Sequence, residues 1–194
     1  SEAFQKIAND VRIKAVVLTG FGPYFASGGT REGLSALQRG ETRFTDRQIY
    51  ALPLMCDVPV VAAMSGHAIG AGWSLGMFAD ATIFAREAVY HSNYLWFGFT
   101  PGAGATMIFP ARLGDRLGRE VLFGAQAFKG AGLAKRSDGL VVLESAAVLP
   151  AAIAHARRLA AHPRDALIRA KSEACGGLRA ALDRFLSAEL AMHQ

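Results

Sequence analysis

Cysteine is scarce in this chain of 194 residues, where Cys56 and Cys175 are the two that occur. Two thiols so far apart in sequence are too few for a disulfide framework or a cysteine metal site. We therefore expect a cytoplasmic protein in which both thiols stay reduced.

Long apolar runs are also missing. Each one is broken by Gly, Pro, His or Asp well short of the roughly 20 residues that a membrane span requires, and no signal peptide is visible. The chain opens inside an amphipathic stretch in which Phe4, Ile7 and Ala8 are apolar. We therefore expect a further N-terminal segment to precede it.

The chain has no compact basic run and no nucleic-acid motif, although its net charge is +5. Its scattered arginines and lysines indicate either an ordinary solvated surface or one that docks an acidic partner or a phosphate-bearing group. No two of its five histidines stand four residues apart with a carboxylate between them, which argues against a metal site.

What the chain does have is a large apolar content of 52%, which is ample for a packed core. Strand-like runs alternate with helical stretches over the first two thirds and predict an α/β protein with parallel layers. The strand candidates are 15–19, 58–64, 81–84 and 88–91, and the helical candidates are 1–10, 31–38, 46–56, 71–79 and 102–110.

From Asp115 onward the pattern becomes mostly helical. The predicted helices are 115–126, 130–136, 146–161, 163–174 and 178–193, with 141–143 as a lone edge strand. In the last helix, apolar residues recur at helical spacing and form one stripe, made of Leu178, Leu182, Phe185, Leu186 and Leu190. This stripe packs either on a neighbouring subunit or on the protein's own core.

Two glycine-rich turns carry the strongest functional signal. We expect Ser27-Gly28-Gly29-Thr30 to close the predicted strand 15–19, and Gly70-Ala71-Gly72 to close the predicted strand 58–64. Small residues let the backbone approach a ligand closely, and a helix then starts with free N–H groups. Two such turns side by side could direct two amides at one oxygen atom and so form an oxyanion hole.

Two other catalytic sites fit the sequence poorly. Residues 70–76 resemble a dinucleotide fingerprint, but the last glycine comes one residue late and Asp80 lies too close to bind a ribose. A serine hydrolase needs a G-x-S-x-G elbow, which 65–67 does not supply, and nothing in the sequence joins Ser74, His91 and Asp80 into a triad.

Among the histidines, His67 in the glycine turn and His91 beside the later site segment are plausible groups to line a site. His155 and His162 fall on polar faces of the helical tail. By its position alone, His193 is a solvated terminal residue.

These turns, together with 16–20, 59–72 and 98–106, resemble the crotonase (enoyl-CoA hydratase/isomerase) superfamily over most of the chain. The resemblance implies a ββα-spiral core over 1–112, whose N-terminal part is missing, and a helical trimerisation region over 113–194. It also implies an acyl thioester with its carbonyl oxygen bound by the amides of Gly29 and Ala71. Trimers or dimers of trimers are the expected assembly.

The sequence departs from the hydratases of this fold at the two glutamates that handle water. At the corresponding positions it has Ser74 and Tyr94, neither of which can act as a carboxylate base. Water addition is therefore not expected. The decarboxylases of polyketide β-branching cassettes resemble this chain closely at 27–34, 66–67, 94–101 and 189–194, and the last match makes His193 a candidate site residue.

That resemblance implies decarboxylation of a 3-methylglutaconyl group to 3-methylcrotonyl on an acyl carrier protein. The substrate would be attached to phosphopantetheine of the carrier or of coenzyme A, with no other cofactor. We expect Ser27 to bind substrate, and Tyr94, Leu95, Trp96 and Phe97 to line an apolar pocket. His193 or His67 would return a proton to carbon.

This branch is expected to hold the distal carboxylate with a lysine after the first glycine turn, but no lysine occurs between Ser27 and Met55. The available cations there are Arg31, Arg39, Arg43 and Arg47. Arginine could orient a carboxylate but is a poor proton donor. Two alternatives stay open: an isomerase or hydrolase acting on an acyl-CoA, and a non-catalytic member that only binds a carrier.

Overall fold

The computed structural model describes residues 2–29 and 48–192. The strands are β1 Val16–Thr19, β2 Tyr24–Ser27, β3 Val60–Met64, β4 His67–Ile69, β5 Ala81–Ala85, β6 Val89–His91, β7 Ala127–Lys129 and β8 Val141–Leu143. The helices are α1 Glu2–Asn9, α2 Leu52–Met55, α3 Ala71–Met77, α4 Ala105–Leu113, α5 Asp115–Gly124, α6 Gly130–Ala134, α7 Ser145–Ala160 and α8 Arg164–Met192. Short 3-10 turns cover Ile49–Ala51 and Leu95–Phe97.

Strands β1 to β6 alternate between two parallel-stranded sheets with helices between them, which confirms the predicted α/β class. The first sheet has the order β1-β3-β5-β8 and the second has the order β2-β4-β6-β7. All pairs are parallel except β6 with β7, which are antiparallel. Strand β3 is buried at every position, as expected for a central strand of a sheet covered on both faces.

The strands that lead directly into the glycine turns were not predicted. The interpretation that the turns close 15–19 and 58–64 is wrong, because β2 and β4 intervene. These strands are only four and three residues long and mix aromatic, small and polar side chains. They therefore lack the apolar run that identified β1 and β3.

Both sheets take an outer strand from the C-terminal part of the chain. β7 pairs with β6 in the second sheet, and β8 pairs with β5 in the first sheet. The part of the chain after residue 113 therefore contributes one strand to each sheet in addition to its helices. The predicted edge position of 141–143 is confirmed.

The C-terminal residues form one long helix where two were predicted. Helix α8 runs unbroken through Gly176 and Gly177, although each glycine costs about 1 kcal/mol of helix stability. Buried residues on both sides of this pair, Cys175 before it and Leu182 and Leu186 after it, hold the helix on the core. The apolar stripe therefore packs on the protein's own core.

Helix α8 is also fixed to the sheet through a buried ion pair. The ammonium of Lys171 lies 2.7 Å from Oδ2 of Asp80 and donates further bonds to the carbonyls of Pro53 and Val58. The same Asp80 oxygen accepts the N–H of Val60 at the start of β3. In the described part of the chain, no helix combines the length and hydrophobicity that a membrane-spanning segment needs.

Candidate functional site

The two glycine turns lie side by side because the strands before them are paired. β2 and β4 run parallel, and the last residue of β2, Ser27, is opposite the last residue of β4, Ile69. Neighbouring parallel strands end at the same edge of a sheet. The chain segments at 28–29 and 70–71 therefore leave the second sheet together.

Close backbone approach at this edge requires glycine at Gly28. A Cβ atom added there would lie 2.6 Å from the amide nitrogen of Ala71 and 3.1 Å from the carbonyl oxygen of Ile69. Gly70 has φ 55° and ψ −126°, a conformation that residues with a Cβ rarely adopt. The two turns are thus in direct contact, and α3 begins at Ala71.

The amide of Ala71 is available to a ligand. As the first residue of α3, it has no intrahelical acceptor. The carbonyl of Gly70, the preceding residue, accepts the N–H groups of Trp73 and Ser74, which are the first bonds of the helix. Within the ranges 2–29 and 48–192, no acceptor takes up the N–H of Ala71, which lies at the edge where the two turns meet.

A cavity of about 280 Å³ opens over the paired turns. Its walls are formed by Ser27, Gly28, Gly29, Ile69, Gly70, Ala71, Asn93, Tyr94, Phe97 and Phe99. Backbone groups form the wall along the turns, and Ile69, Phe97 and Phe99 supply apolar walls. No carboxylate and no cation occurs among these described residues.

Tyr94 in the cavity wall and the neighbouring Ser74 are both buried. Burial raises the pKa of the Tyr94 phenol, and the nearby hydroxyl of Ser74 partly opposes that shift. The phenol therefore stays neutral at physiological pH. Ser74 and Tyr94 thus place two neighbouring neutral hydroxyl groups at this site.

A buried carboxylate connects the C-terminal helix to this region. Glu189 in α8 accepts the N–H of Gly104 (2.7 Å), the N–H of Thr106 (2.9 Å) and the hydroxyl of Thr106 (2.6 Å). It thereby caps α4, whose N-cap residue is a glycine without a side-chain donor or acceptor. Burial raises the pKa of Glu189, while the three hydrogen bonds oppose the shift.

The buried phenol of Tyr50 makes the stability of the folded protein depend on pH in the alkaline range. Its hydroxyl is buried with no hydrogen-bond partner among the described residues, and burial together with the Glu189 charge raises its pKa to about 12. The unfolded state loses this proton near pH 10, so the stabilising effect of the higher folded pKa is complete below pH 10. It is lost as the pH rises toward 12.

We expect Tyr50→Phe to raise the free energy of unfolding by about 1 kcal/mol at pH 8, because an unsatisfied buried hydroxyl is removed. The variant should also lose less stability than the wild type between pH 8 and pH 10.5. Urea unfolding at both values measures this, with Tyr24→Phe at an exposed tyrosine as the control. Equal alkaline losses in wild type and Tyr50→Phe would contradict the assignment.

Comparison with known proteins agrees with this architecture. The family model described as enoyl-CoA hydratase/isomerase matches residues 1–194. The chain belongs to this family, the crotonase superfamily. The family match confirms the predicted ββα-spiral class.

Three similar proteins narrow the comparison within the crotonases. The bacillaene synthase decarboxylase PksI of Bacillus subtilis (strain 168) is 47% identical over 193 residues, which are 100% of this chain and 78% of PksI. A structure from a dehydratase/decarboxylase enzyme couple involved in polyketide β-branching has a TM-score of 0.97 at 47% identity, covering 99% of this chain and 78% of that one. The ECH2 decarboxylase domain of CurF from Lyngbya majuscula has a TM-score of 0.94 at 33% identity, covering 100% and 79%.

In this crotonase, five predicted site residues surround one cavity: Ser27, Gly29, Ala71, Tyr94 and Phe97. Four other candidates are absent from this cavity wall: Leu95, Trp96, His67 and His91. Trp96 is 72% exposed and packs edge-on against His91, because the 3-10 turn at Leu95–Phe97 directs it away from the cavity wall. The remaining candidates Arg31, Arg39, Arg43, Arg47 and His193 lie outside the described residues.

His67 also lies outside this cavity wall. It stands at the start of β4, opposite Tyr24, while the turn follows the end of that strand. Its Nδ1 accepts the N–H of Val89 at 2.9 Å, and its ring packs edge-on against Tyr24. These contacts join the His67 side chain to β2 and β6, the two neighbours of β4 in the second sheet.

Sequence reasoning missed two polar residues of this crotonase site. Asn93 lines the cavity and Glu189 holds α4. Asn93 directly precedes the singled-out Tyr94, so a wider window around Tyr94 would have included it. Glu189 begins the matched segment 189–194, but only His193 of that segment was assigned a site role, because a glutamate in a helix is usually a solvated surface residue.

Proposed function

We propose that this crotonase decarboxylates a 3-methylglutaconyl thioester on an acyl carrier protein and yields the 3-methylcrotonyl thioester, in polyketide β-branching. The observation that carries the proposal is the cavity wall, in which the described residues offer two open turns and no carboxylate. Similarity to the decarboxylases PksI and CurF ECH2 supports the same reaction. Hydration would need a carboxylate where Ser74 and Tyr94 stand.

The amides of Gly29 and Ala71 are proposed to bind the thioester oxygen. When the bond between the carboxylate carbon and C4 breaks, CO2 leaves and its bonding electrons enter the conjugated system. They move through C3 and C2 to the thioester oxygen, which becomes the oxygen of a dienolate. A fixed donor directed at such an oxygen contributes about 3 kcal/mol to the transition state.

The side-chain walls favour loss of charge from the substrate. Ile69, Phe97 and Phe99 offer no solvation to a carboxylate, whereas CO2 is neutral and small. The neutral phenol of Tyr94 adds no negative charge. No dissociable cofactor is needed, because the electrons of the broken bond remain in the substrate.

The dienolate must then take up a proton at C4. We assign this step to His193, since an imidazole titrates near neutrality. His67 is the weaker candidate, because its Nδ1 is engaged with the backbone of Val89. The acyl group would arrive on the phosphopantetheine arm of the carrier, and a homotrimer or hexamer is the proposed assembly.

The direct test uses purified protein and carrier protein loaded with 3-methylglutaconyl. Mass spectrometry should show loss of CO2 from the carrier, with a product that matches a 3-methylcrotonyl standard. Repeating the assay with the same acyl group on coenzyme A shows whether the enzyme prefers the carrier protein or coenzyme A. Carrier binding without any mass change would contradict the proposal and favour a non-catalytic member.

A pair of substitutions at Tyr94 tests whether the site must be free of negative charge. Tyr94→Glu should lower the decarboxylation rate by about 100-fold at pH 8, because a second carboxylate close to the substrate carboxylate repels it. Glutamine has the shape of glutamate without its charge, so Tyr94→Gln should lower the decarboxylation rate far less. Steady-state rates give the comparison, and melting temperatures show whether both variants fold.

The pH dependence of this pair gives a second readout. As the pH falls, the introduced glutamate becomes protonated and the gap between the two variants should narrow. Equal rates for the two variants at pH 8 would show that charge at this position does not matter. The absence of glutamate would then carry no argument for decarboxylation.

A further inference from the structure

We propose that the side-chain amide of Asn93 holds the carboxylate that the substrate loses, which makes Asn93 a specificity-determining residue. This inference rests on the proposed function. Asn93 follows strand β6, is half-buried and lines the cavity over the paired turns. It supplies the only carboxamide among the described residues of that wall.

The amide lies directly beside the proposed oxyanion hole. A Cβ atom at Gly70 would stand 3.0 Å from Oδ1 of Asn93, so the oxygen end of the amide packs against Gly70. Gly70 immediately precedes Ala71, whose N–H is proposed to bind the thioester oxygen. A short acyl group held by that N–H therefore lies in the part of the cavity next to Asn93.

The N–H donors of Asn93 are unused among the residues that the structure describes. No hydrogen bond joins this amide to another residue in the ranges 2–29 and 48–192. A carboxamide has two donors at the end opposite its oxygen. With the oxygen end packed against Gly70, both donors remain for a ligand.

The rest of the described wall offers little to a carboxylate. Its larger side chains Ile69, Phe97 and Phe99 are apolar, and Tyr94 interacts with Ser74 behind the wall. Ser27 has a single hydroxyl. Two N–H donors on one planar group match the acceptor oxygens of a carboxylate better than any other described group here.

A neutral donor suits this reaction. The carboxylate must become CO2, so every interaction that stabilises its charge is lost in the transition state and slows the reaction. A carboxamide stabilises that charge less than a cation does. It still fixes the direction of the bond that breaks, which must stand perpendicular to the conjugated plane for its electrons to enter it.

The test compares binding of two saturated thioesters of pantetheine, neither of which can form a dienolate by losing CO2. The 3-methylglutaryl thioester has the terminal carboxylate and the isovaleryl thioester lacks it. We expect Asn93→Ala to weaken binding of the first by about 10-fold or more, as for a lost hydrogen bond to a charged group. Binding of the second should stay within threefold of wild type.

Asn93→Asp gives the sharper comparison, because it keeps the shape but exchanges two donors for a negative charge. It should weaken binding of the 3-methylglutaryl thioester by about 100-fold, through charge repulsion and loss of the donors. Asn9→Asp, at the end of α1, adds the same charge elsewhere and should leave binding unchanged. Melting temperatures of the two Asn93 variants confirm that each is folded.

Equal weakening for both thioesters would overturn the proposal, because Asn93 would then contact the part that they share. Unchanged binding of both would overturn it as well. Failure of the proposed function is a separate outcome. Decarboxylation would be refuted if the wild type left the 3-methylglutaconyl carrier intact. If Asn93→Asp then still lost the preference for the thioester with a carboxylate, Asn93 would be supported as a carboxylate-binding residue.

Discussion

Replacing Ala71 by proline should lower the decarboxylation rate by about 100- to 1000-fold. Proline has no backbone N–H, so the substitution removes one of the two proposed oxyanion donors and no side-chain contact of consequence. Ala71 is the first residue of α3. Proline is tolerated at the first position of a helix, because that N–H has no intrahelical acceptor.

The conformation of Gly70 makes this substitution practicable. Residues before proline avoid the right-handed helical region, and Gly70, with φ 55° and ψ −126°, lies outside it. Ala71→Gly keeps the amide and serves as the control, with an expected rate within a few fold of wild type. Rates are compared with melting temperatures, and a folded Ala71→Pro enzyme that retains more than a tenth of the activity would remove this amide from the mechanism.

The two glycine turns could be found in the sequence, but the strands that support them could not. Long apolar runs identified β1 and β3, and their alternation with helices predicted the fold class correctly. The pairing of Ser27 with Ile69 joins residues more than forty positions apart. It depends on two short strands with no periodicity of their own, so only the folded backbone shows why the two turns meet.

The wall of the cavity was predicted only in part. Tyr94 and Phe97 line it as expected, whereas Trp96 lies between them in sequence and is exposed. A 3-10 turn places successive side chains on different sides, and apolar composition alone does not indicate which side faces the site. Asn93 was missed because a single asparagine after a strand is typical of an ordinary turn.

The buried polar contacts of α8 are beyond sequence reasoning for a different reason. Glu189 bonds to Gly104 and Thr106, more than eighty residues away in the chain. Lys171 pairs with Asp80 across a comparable separation. Charged residues are usually solvated on a helix surface, so their burial follows from the way the helix docks and not from the local pattern.

Replacing Lys171 by methionine should lower the free energy of unfolding by about 3–5 kcal/mol. The side chain of Lys171 is 2% exposed, and its ammonium satisfies Asp80 and two backbone carbonyls. Methionine fills similar volume but leaves the Asp80 carboxylate without its cation. The loss is large because the remaining charge is removed from water and has only weaker partners.

Two comparisons separate this charge effect from general damage to the core. Lys171→Met combined with Asp80→Asn removes both charges and should recover part of the loss seen in the single variant. Lys6→Met breaks a surface ion pair in which the side chains of Lys6 and Glu2 are 75% and 80% exposed. It should lower the free energy of unfolding by no more than about 0.5 kcal/mol. Urea unfolding measures all three variants. A single-variant loss no larger than that of Lys6→Met would mean that solvent reaches Asp80 in the folded protein, and the pair would then not fix α8 to the sheet.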